Sequence, residues 1–151
     1  MKEAAIVILN YNGEAMLRKY LPQVISNSFY DIVVVDNGSS DASISYLKKE
    51  FPEIRLILLS ENHGYSKGYN LGLAHLKDAY SYYLLLNSDV EVTGGWDQTL
   101  VTYLIQNPKV AACQPKVLSL VKKGYFDYAG AAGGFLDQLG YPYCRGRILH
   151  L

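Results

Sequence analysis

Residues 31–41 read DIVVVDNGSSD, and the reading of this stretch decides the fold. Ile32, Val33, Val34 and Val35 are apolar on both faces of an extended chain, which suits a strand covered on both sides. The run stops at Asp36 and gives way to Asn37, Gly38, Ser39, Ser40 and Asp41, the residue types that turns use. Ser40 or Asp41 is placed to cap a helix carrying Ile44, Leu47 and Phe51, which Pro52 ends. A buried strand, a polar turn and a helix in quick succession form the repeating unit of a parallel α/β sheet.

The flanking chain repeats the unit. "AAIVIL" (4–9) is an apolar run that ends in Asn-Tyr-Asn-Gly, and Leu17, Leu21, Val24 and Ile25 then recur at helical spacing. Pro22 interrupts them, which predicts a kink or two short helices. "IRLILLS" (54–60) reads as a third strand, "GYSKGYNLGLAHL" (64–76) as a glycine-studded helix and "YYLLLN" (82–87) as a fourth strand. "GWDQTLVTYLIQN" (95–107) reads as a helix, and "VAACQPKVL" (110–118) as a further strand. From about Gly124 glycine and tyrosine dominate, which predicts loops and short β-ribbons. The expectation is one domain over 1–151, an α/β core to about residue 118 and a Gly/Tyr-rich remainder over about 119–151.

The totals narrow the function. A formal net charge of +0 over 151 residues gives no electrostatic case for nucleic acid or a membrane surface. Cys113 and Cys144 stand far apart with no Cys-x-x-Cys pair, which predicts two reduced, packed thiols rather than a disulfide or zinc site. The N-terminal apolar run is too short for a signal peptide, and no stretch approaches the ~20 apolar residues of a membrane span. The expected compartment is the cytoplasm.

Three strands end in polar loops, after Leu9, Val35 and Leu86, and parallel sheets bind ligands beyond the carboxyl ends of their strands. Asp89 and Glu91 lie two apart beyond the fourth strand, so in extended geometry they project to one side. Hard oxygen ligands there suit Mg²⁺ or Mn²⁺ completed by phosphate oxygens and water. Taken alone, an Asp-x-Glu triplet is more often a pair of solvated loop carboxylates. Asp36 and Asn37 suit hydrogen bonds to a base or ribose edge, with Gly38 allowing close approach, although the same residues also build ordinary turns. Tyr11 has the ring to stack on a base or to close the core. Gly64, Gly68 and Gly72 form a ridge for close helix–sheet packing, and glycines cost a helix about 1 kcal/mol each, so three in register ask for a reason. Lys67 and Asn70, on neighbouring turns, are within reach of a phosphate or ribose.

"AIVILNYNG", "IVVVDNGSSD", "ENHGYSKGYNLGL" and "YYLLLNSDVEV", in this order and at these intervals, resemble the amino-terminal half of family 2 glycosyltransferases, most of all the bacterial rhamnosyltransferase-like branch that builds surface polysaccharides. The resemblance runs from about residue 5 to about residue 102, with a weaker echo beyond. It implies a GT-A fold, a Rossmann-like α/β sheet with helices on both faces, and a nucleotide-diphosphate sugar donor. By position it places Asn10, Tyr11 and Asn12 in the nucleotide pocket and Asp36 and Asn37 at the base and ribose. Asp89 becomes the metal-binding acid, Ser88 stands near the ribose, and Glu91 supports the metal. The motif departs from strict Asp-x-Asp, since Asn87-Ser88-Asp89 precedes Val90-Glu91.

The resemblance further implies Mg²⁺ or Mn²⁺ as cofactor, an inverting transfer and a saccharide or lipid-linked acceptor. That acceptor brings the full-length enzyme peripherally to the inner face of the membrane. The family's carboxylate base lies in an acceptor-binding half with no counterpart before Leu151. Asp127 and Asp137 lack that context, and Arg145 and Arg147 read as surface residues. A chain truncated before that half is the expectation, with no catalytic base of its own and little or no turnover alone.

Other classes lack their marks. A nucleotidyltransferase wants a glycine-rich basic loop after the first strand, a dehydrogenase wants Gly-x-Gly-x-x-Gly there, and a receiver-like or scaffold domain wants an acidic cluster; this loop is Asn-Tyr-Asn-Gly-Glu. "GAAGG" (130–134) follows no clear strand. A non-catalytic nucleotide-binding domain keeps every binding feature and differs only in turnover.

Overall fold

The structure is a computed structural model that describes residues 2–122, 124–125 and 131–146, with 131–136 and 142–146 described by their backbone alone. Asp127 and Arg147 lie outside the described residues, as do the side chains of Cys144 and Arg145. The chain divides into two compact units, residues 1–102 and 103–151.

The first unit holds strands β1 (Lys2–Asn10), β2 (Asp31–Asp36), β3 (Arg55–Leu58) and β4 (Tyr80–Asn87), with helices α1 (Glu14–Asn27), α2 (Ser43–Glu50) and α3 (Tyr65–Ala74) between them. Helix α4 (Trp96–Gln106) follows β4. All pairings in this sheet are parallel, in the order β3-β2-β1-β4. Alternation along β1 sorts the core into two layers. Ala4, Ile6 and Ile8 pack with Leu17, Leu21 and Val24 of α1, Tyr46 and Leu47 of α2 and Val101 of α4. Ala5 and Val7 pack on the opposite face with Tyr69 of α3 and with Leu76.

Strand order sets where the site lies. The chain steps outward from β1 to β2 to β3, then α3 carries it back across the other face so that β4 lands on the far side of β1. The order therefore reverses between β1 and β4, and in open parallel sheets the crevice for a ligand opens at such a reversal, beyond the carboxyl ends.

Four local expectations are corrected. Pro22 does not divide α1, which runs unbroken from Glu14 to Asn27. The carbonyl that its missing N–H orphans belongs to Arg18, and both residues lie on the exposed side of the helix, so the lost bond does not fall in the core while Leu21 and Val24 hold the helix to the sheet. Gly64 is not part of the helical ridge. It precedes α3 at φ +73°, leaving Gly68 and Gly72 as the close-approach pair. A Cβ on Gly72 would stand 2.5 Å from Cγ2 of Val35, so the bare backbone is what lets α3 lie down on β2.

Residues 110–118 form no strand, only an isolated bridge at Leu118. Pro115 removes a ladder donor in the middle of the run and Gln114 and Lys116 break its apolar character. Finally, β4 ends at Asn87, and Ser88 and Asp89 lie in a turn, so the period of two that would align Asp89 with Glu91 is lost before it reaches them.

The second unit contains the antiparallel ribbon of β5 (Ala131–Leu136) and β6 (Pro142–Gly146). Its turn is held by Asp137, whose Oδ1 accepts the N–H groups of Leu139 at 2.8 Å and Tyr141 at 2.9 Å. "GAAGG" thus runs into a strand rather than a phosphate loop.

Candidate functional site

The register brings Asn10 opposite Asp36 and Leu9 opposite Asn87, so the loops after β1, β2 and β4 leave the sheet at one level. Gly13 marks the junction of the first and last. A Cβ there would lie 2.4 Å from Oδ1 of Asn10 and 3.8 Å from Oγ of Ser88. A side chain there would collide with the buried Asn10 amide while only touching Ser88, a constraint that sequence reasoning missed.

Asp36 is fully buried. Its Oδ1 accepts the Ser39 N–H at 2.8 Å and its Oδ2 accepts Nδ2 of Asn10 at 3.0 Å. Asn37 is equally committed: Nδ2 donates to Oδ1 of Asn62 at 2.9 Å and to the Gly64 carbonyl at 3.1 Å, and its Oδ1 accepts the His63 N–H at 3.0 Å. These two residues stand behind the rim and lace the β2 loop to its neighbours on either side.

Gly38 sits at φ +77°, and a Cβ there would meet backbone atoms of Glu61 at 2.6 Å. Across the mouth, Tyr65 donates its hydroxyl to Oδ1 of Asn87 at 3.2 Å, tying the start of α3 to the end of β4. Asn10 keeps one loose end, since its buried Oδ1 has no hydrogen-bond partner among the described residues.

Exposed groups complete the rim. Tyr11 is 49% exposed, Asn12 is exposed and Ser88 is half-buried. Asp89 is exposed and makes no hydrogen bond or ion pair among the described residues. Glu91 is exposed as well, and its charge helps raise the pKa of Lys19 on α1, after the larger contributions from Tyr20. Next to Glu91, the Val92 carbonyl accepts Nε2 of Gln23 and the Val92 N–H donates to Oε1 of Gln23 at 3.1 Å, so this stretch is tied to α1. Lys67 and Asn70 are exposed on α3, on either side of Gly68, which packs on Asn37 and Leu9.

Among the described residues no three His, Cys, Asp or Glu side chains gather into a metal cage. Mg²⁺ and Mn²⁺ do not require one. They bind through one or two carboxylates and fill the shell with phosphate oxygens and water. An exposed, unengaged Asp89 beside the β1–β4 reversal fits that mode.

Asp41 joins the two helices at this edge. Its Oδ2 accepts the Glu14 N–H at 3.0 Å and its Oδ1 accepts the Ser43 N–H at 3.0 Å, so one carboxylate caps the first turns of both α1 and α2. Sequence reasoning saw only a cap for α2. Desolvation pushes the Asp41 carboxyl up, but the bonds from Ser43 and Glu14 outweigh it and hold the group below its ordinary value of 3.8. A group depressed on folding stabilises the fold above that ordinary value, and its contribution is lost as pH falls through the folded value. The melting temperature of the wild-type chain should therefore drop more steeply below pH 3.8 than that of Asp41→Asn, as calorimetry across the acid limb would measure.

Comparison with known proteins agrees with this architecture. The family model described as glycosyl transferase family 2 matches residues 5–131. A protein of Haemophilus influenzae named as an uncharacterized glycosyltransferase is 24% identical over 124 residues, covering 79% of this chain and 38% of the relative. Glycosyltransferase GlyA of Streptococcus pneumoniae is 32% identical over 106 residues, 67% of this chain and 15% of that protein. The crystal structure of S. aureus TarS 1-349 in complex with UDP-GlcNAc superposes with a TM-score of 0.59 at 17% identity, covering 78% of this chain and 38% of that one.

The chain thus spans well under half the length of these relatives. The likeness to TarS is one of fold, a mostly parallel α/β sheet of GT-A type. With the family match covering most of its residues, the chain belongs to glycosyl transferase family 2.

Proposed function

We propose that this domain binds a nucleotide-diphosphate sugar at the β1–β4 reversal and serves its transfer to a saccharide or lipid-linked acceptor, in glycan or polysaccharide synthesis. The observation that carries the reading is the grouping of Asn10, Gly13 and Ser88 at the carboxyl edge where strand order reverses, with exposed Tyr11 and Asp89 on its rim. A solved relative of the same fold carries UDP-GlcNAc, which supports a uridine diphosphate sugar as the first donor to try.

In this reading the Tyr11 ring stacks on the base, and Asn12 and Gly38 line the base and ribose side with buried Asn10, Asp36 and Asn37 next behind them. Ser88 stands near the ribose, and Lys67 and Asn70 approach the phosphates. Asp89 would hold Mg²⁺ or Mn²⁺, with Glu91 in support. When bound, the ion stabilises the negative charge of the departing nucleoside diphosphate, a Lewis-acid contribution of several kcal/mol. An inverting displacement then needs a base on the acceptor hydroxyl, a role we assign to none of the described residues.

Among the described residues no helix is long and apolar enough to cross a membrane. A lipid-linked acceptor would bring the protein to a membrane face through its substrate. Calorimetric titration with UDP, dTDP and GDP, with and without Mn²⁺, tests the binding half of the proposal. Metal-dependent binding of at least one diphosphate is expected, and no binding to any would refute it.

A further inference from the structure

We propose that Ser39, through its hydroxyl oxygen, is the positioning residue that holds the Tyr11 loop in its ligand-binding shape. The inference rests on the donor-binding reading above and adds to it a residue that the family resemblance did not single out.

The geometry turns on Asn12. It is one of two non-glycine residues with positive φ among those described, at +48°, a backbone state that asparagine tolerates better than most residues and that bonds to its surroundings can fix. The enforcing contacts come from the β2 loop. Oγ of Ser39 accepts the N–H of Asn12 at 2.9 Å, and Oδ1 of Asn12 accepts the N–H groups of Ser40 at 2.8 Å and Asp41 at 3.3 Å. The same Ser39 oxygen also accepts Nδ2 of Asn10 at 3.1 Å. One hydroxyl therefore grips the residues on both sides of Tyr11.

Ser39 is itself fixed, because its own N–H is bound to the buried Asp36 carboxylate. The chain of restraint runs from Asp36 to Ser39 to Asn10 and Asn12, and it ends at an aromatic ring left half in solvent. A loop backbone held in this way loses little freedom when the ring stacks, so the grip contributes to affinity by preorganisation.

Removing the oxygen deletes two acceptor contacts while leaving the strands intact. Ser39→Ala is expected to weaken Mn²⁺-dependent UDP binding about tenfold, the size of one to two net hydrogen bonds. Ser39→Thr, which keeps the oxygen, should restore affinity to within about twofold. In the ligand-free chain, exchange of the Asn12 amide followed by NMR should quicken about tenfold in Ser39→Ala, with Val7 and Val34 keeping their protection.

Wild-type affinity in Ser39→Ala, or a threonine variant as weak as the alanine one, would overturn the proposal. So would an Asn12 amide whose exchange does not change. If the wild-type chain binds no nucleoside diphosphate at all, the donor reading fails and takes the ligand role of Ser39 with it. The exchange measurement then reports separately whether the grip exists.

Discussion

Asp89→Ala is expected to abolish the Mn²⁺-dependent part of UDP binding, lowering affinity at least tenfold in the presence of metal and leaving the metal-free affinity unchanged. The expectation follows from the shortage of alternatives. Among the described residues no cluster of three metal-binding side chains exists, and the turn at Ser88 and Asp89 ends the extended backbone that would align Glu91 with Asp89. In the proposed site one carboxylate would carry most of the protein's share of the coordination. Loss even of groups that merely support a metal ligand costs ten- to a hundredfold in affinity.

The aspartate is exposed and makes no hydrogen bond or ion pair among the described residues, so its removal should leave the melting temperature within a degree or two. Isothermal titration with and without Mn²⁺, paired with thermal melting, separates the two effects. Equal metal dependence in wild type and variant would remove Asp89 from the metal site. Glu91→Ala serves as the contrast, with an expected effect severalfold smaller.

The second large effect is on stability. Gly38→Ala should cost about 3 kcal/mol. Part of this is the left-handed backbone, φ +77°, which penalises any residue with a Cβ by roughly 1–2 kcal/mol. The rest is collision. The new carbon would sit 2.6 Å from the carbonyl carbon and Cα of Glu61, backbone atoms that cannot rotate aside, and forced overpacking costs about 1–3 kcal/mol.

Relief would require the β2 and β3 loops to separate, which breaks the bonds of Asn37 to Asn62, His63 and Gly64. Urea unfolding of wild type and variant measures the difference as a shift in midpoint at constant slope. Gly95→Ala is a fitting control. It shares the positive φ, at +75°, but a Cβ there meets nothing within 4 Å, so it should lose only the backbone part. A Gly38→Ala variant no less stable than Gly95→Ala would show that the loops are not in contact.

Much of the fold was legible in the chain because strand burial on both faces writes itself as unbroken apolar runs. Val33 to Val35 and Ala4 to Ile8 are buried in consequence, and the alternation between helix-facing layers needs no further information. What misled were places where local chemistry is overruled by packing. Pro22 reads as a break, yet an exposed carbonyl and two buried neighbours make it tolerable. Residues 110–118 read as a strand, yet no ladder forms across Pro115. The Asp-x-Glu spacing implies a shared face only while the backbone stays extended, and the turn at Ser88 ends that condition.

At the candidate site the division is similar. Residue types marked the loops, since asparagine, glycine and serine after an apolar run announce a polar edge. They did not say which side chains face outward. Asp36 and Asn37 proved to be buried braces, whereas Ser39, Gly13 and Asp41, which look like ordinary turn residues, bond or abut groups from another loop.

By itself, then, the order of residues determined the alternation of strands and helices, their two-sided burial and the polar character of three strand ends, because each depends on neighbours within a few positions. Only the folded arrangement decided that the sheet reverses between β1 and β4, that one serine oxygen grips both flanks of Tyr11, and that one aspartate, Asp41, bonds the first turns of two helices. Those outcomes depend on hydrogen bonds and close contacts between segments some 26 to 29 residues apart or more, and nothing local in either segment specifies its partner.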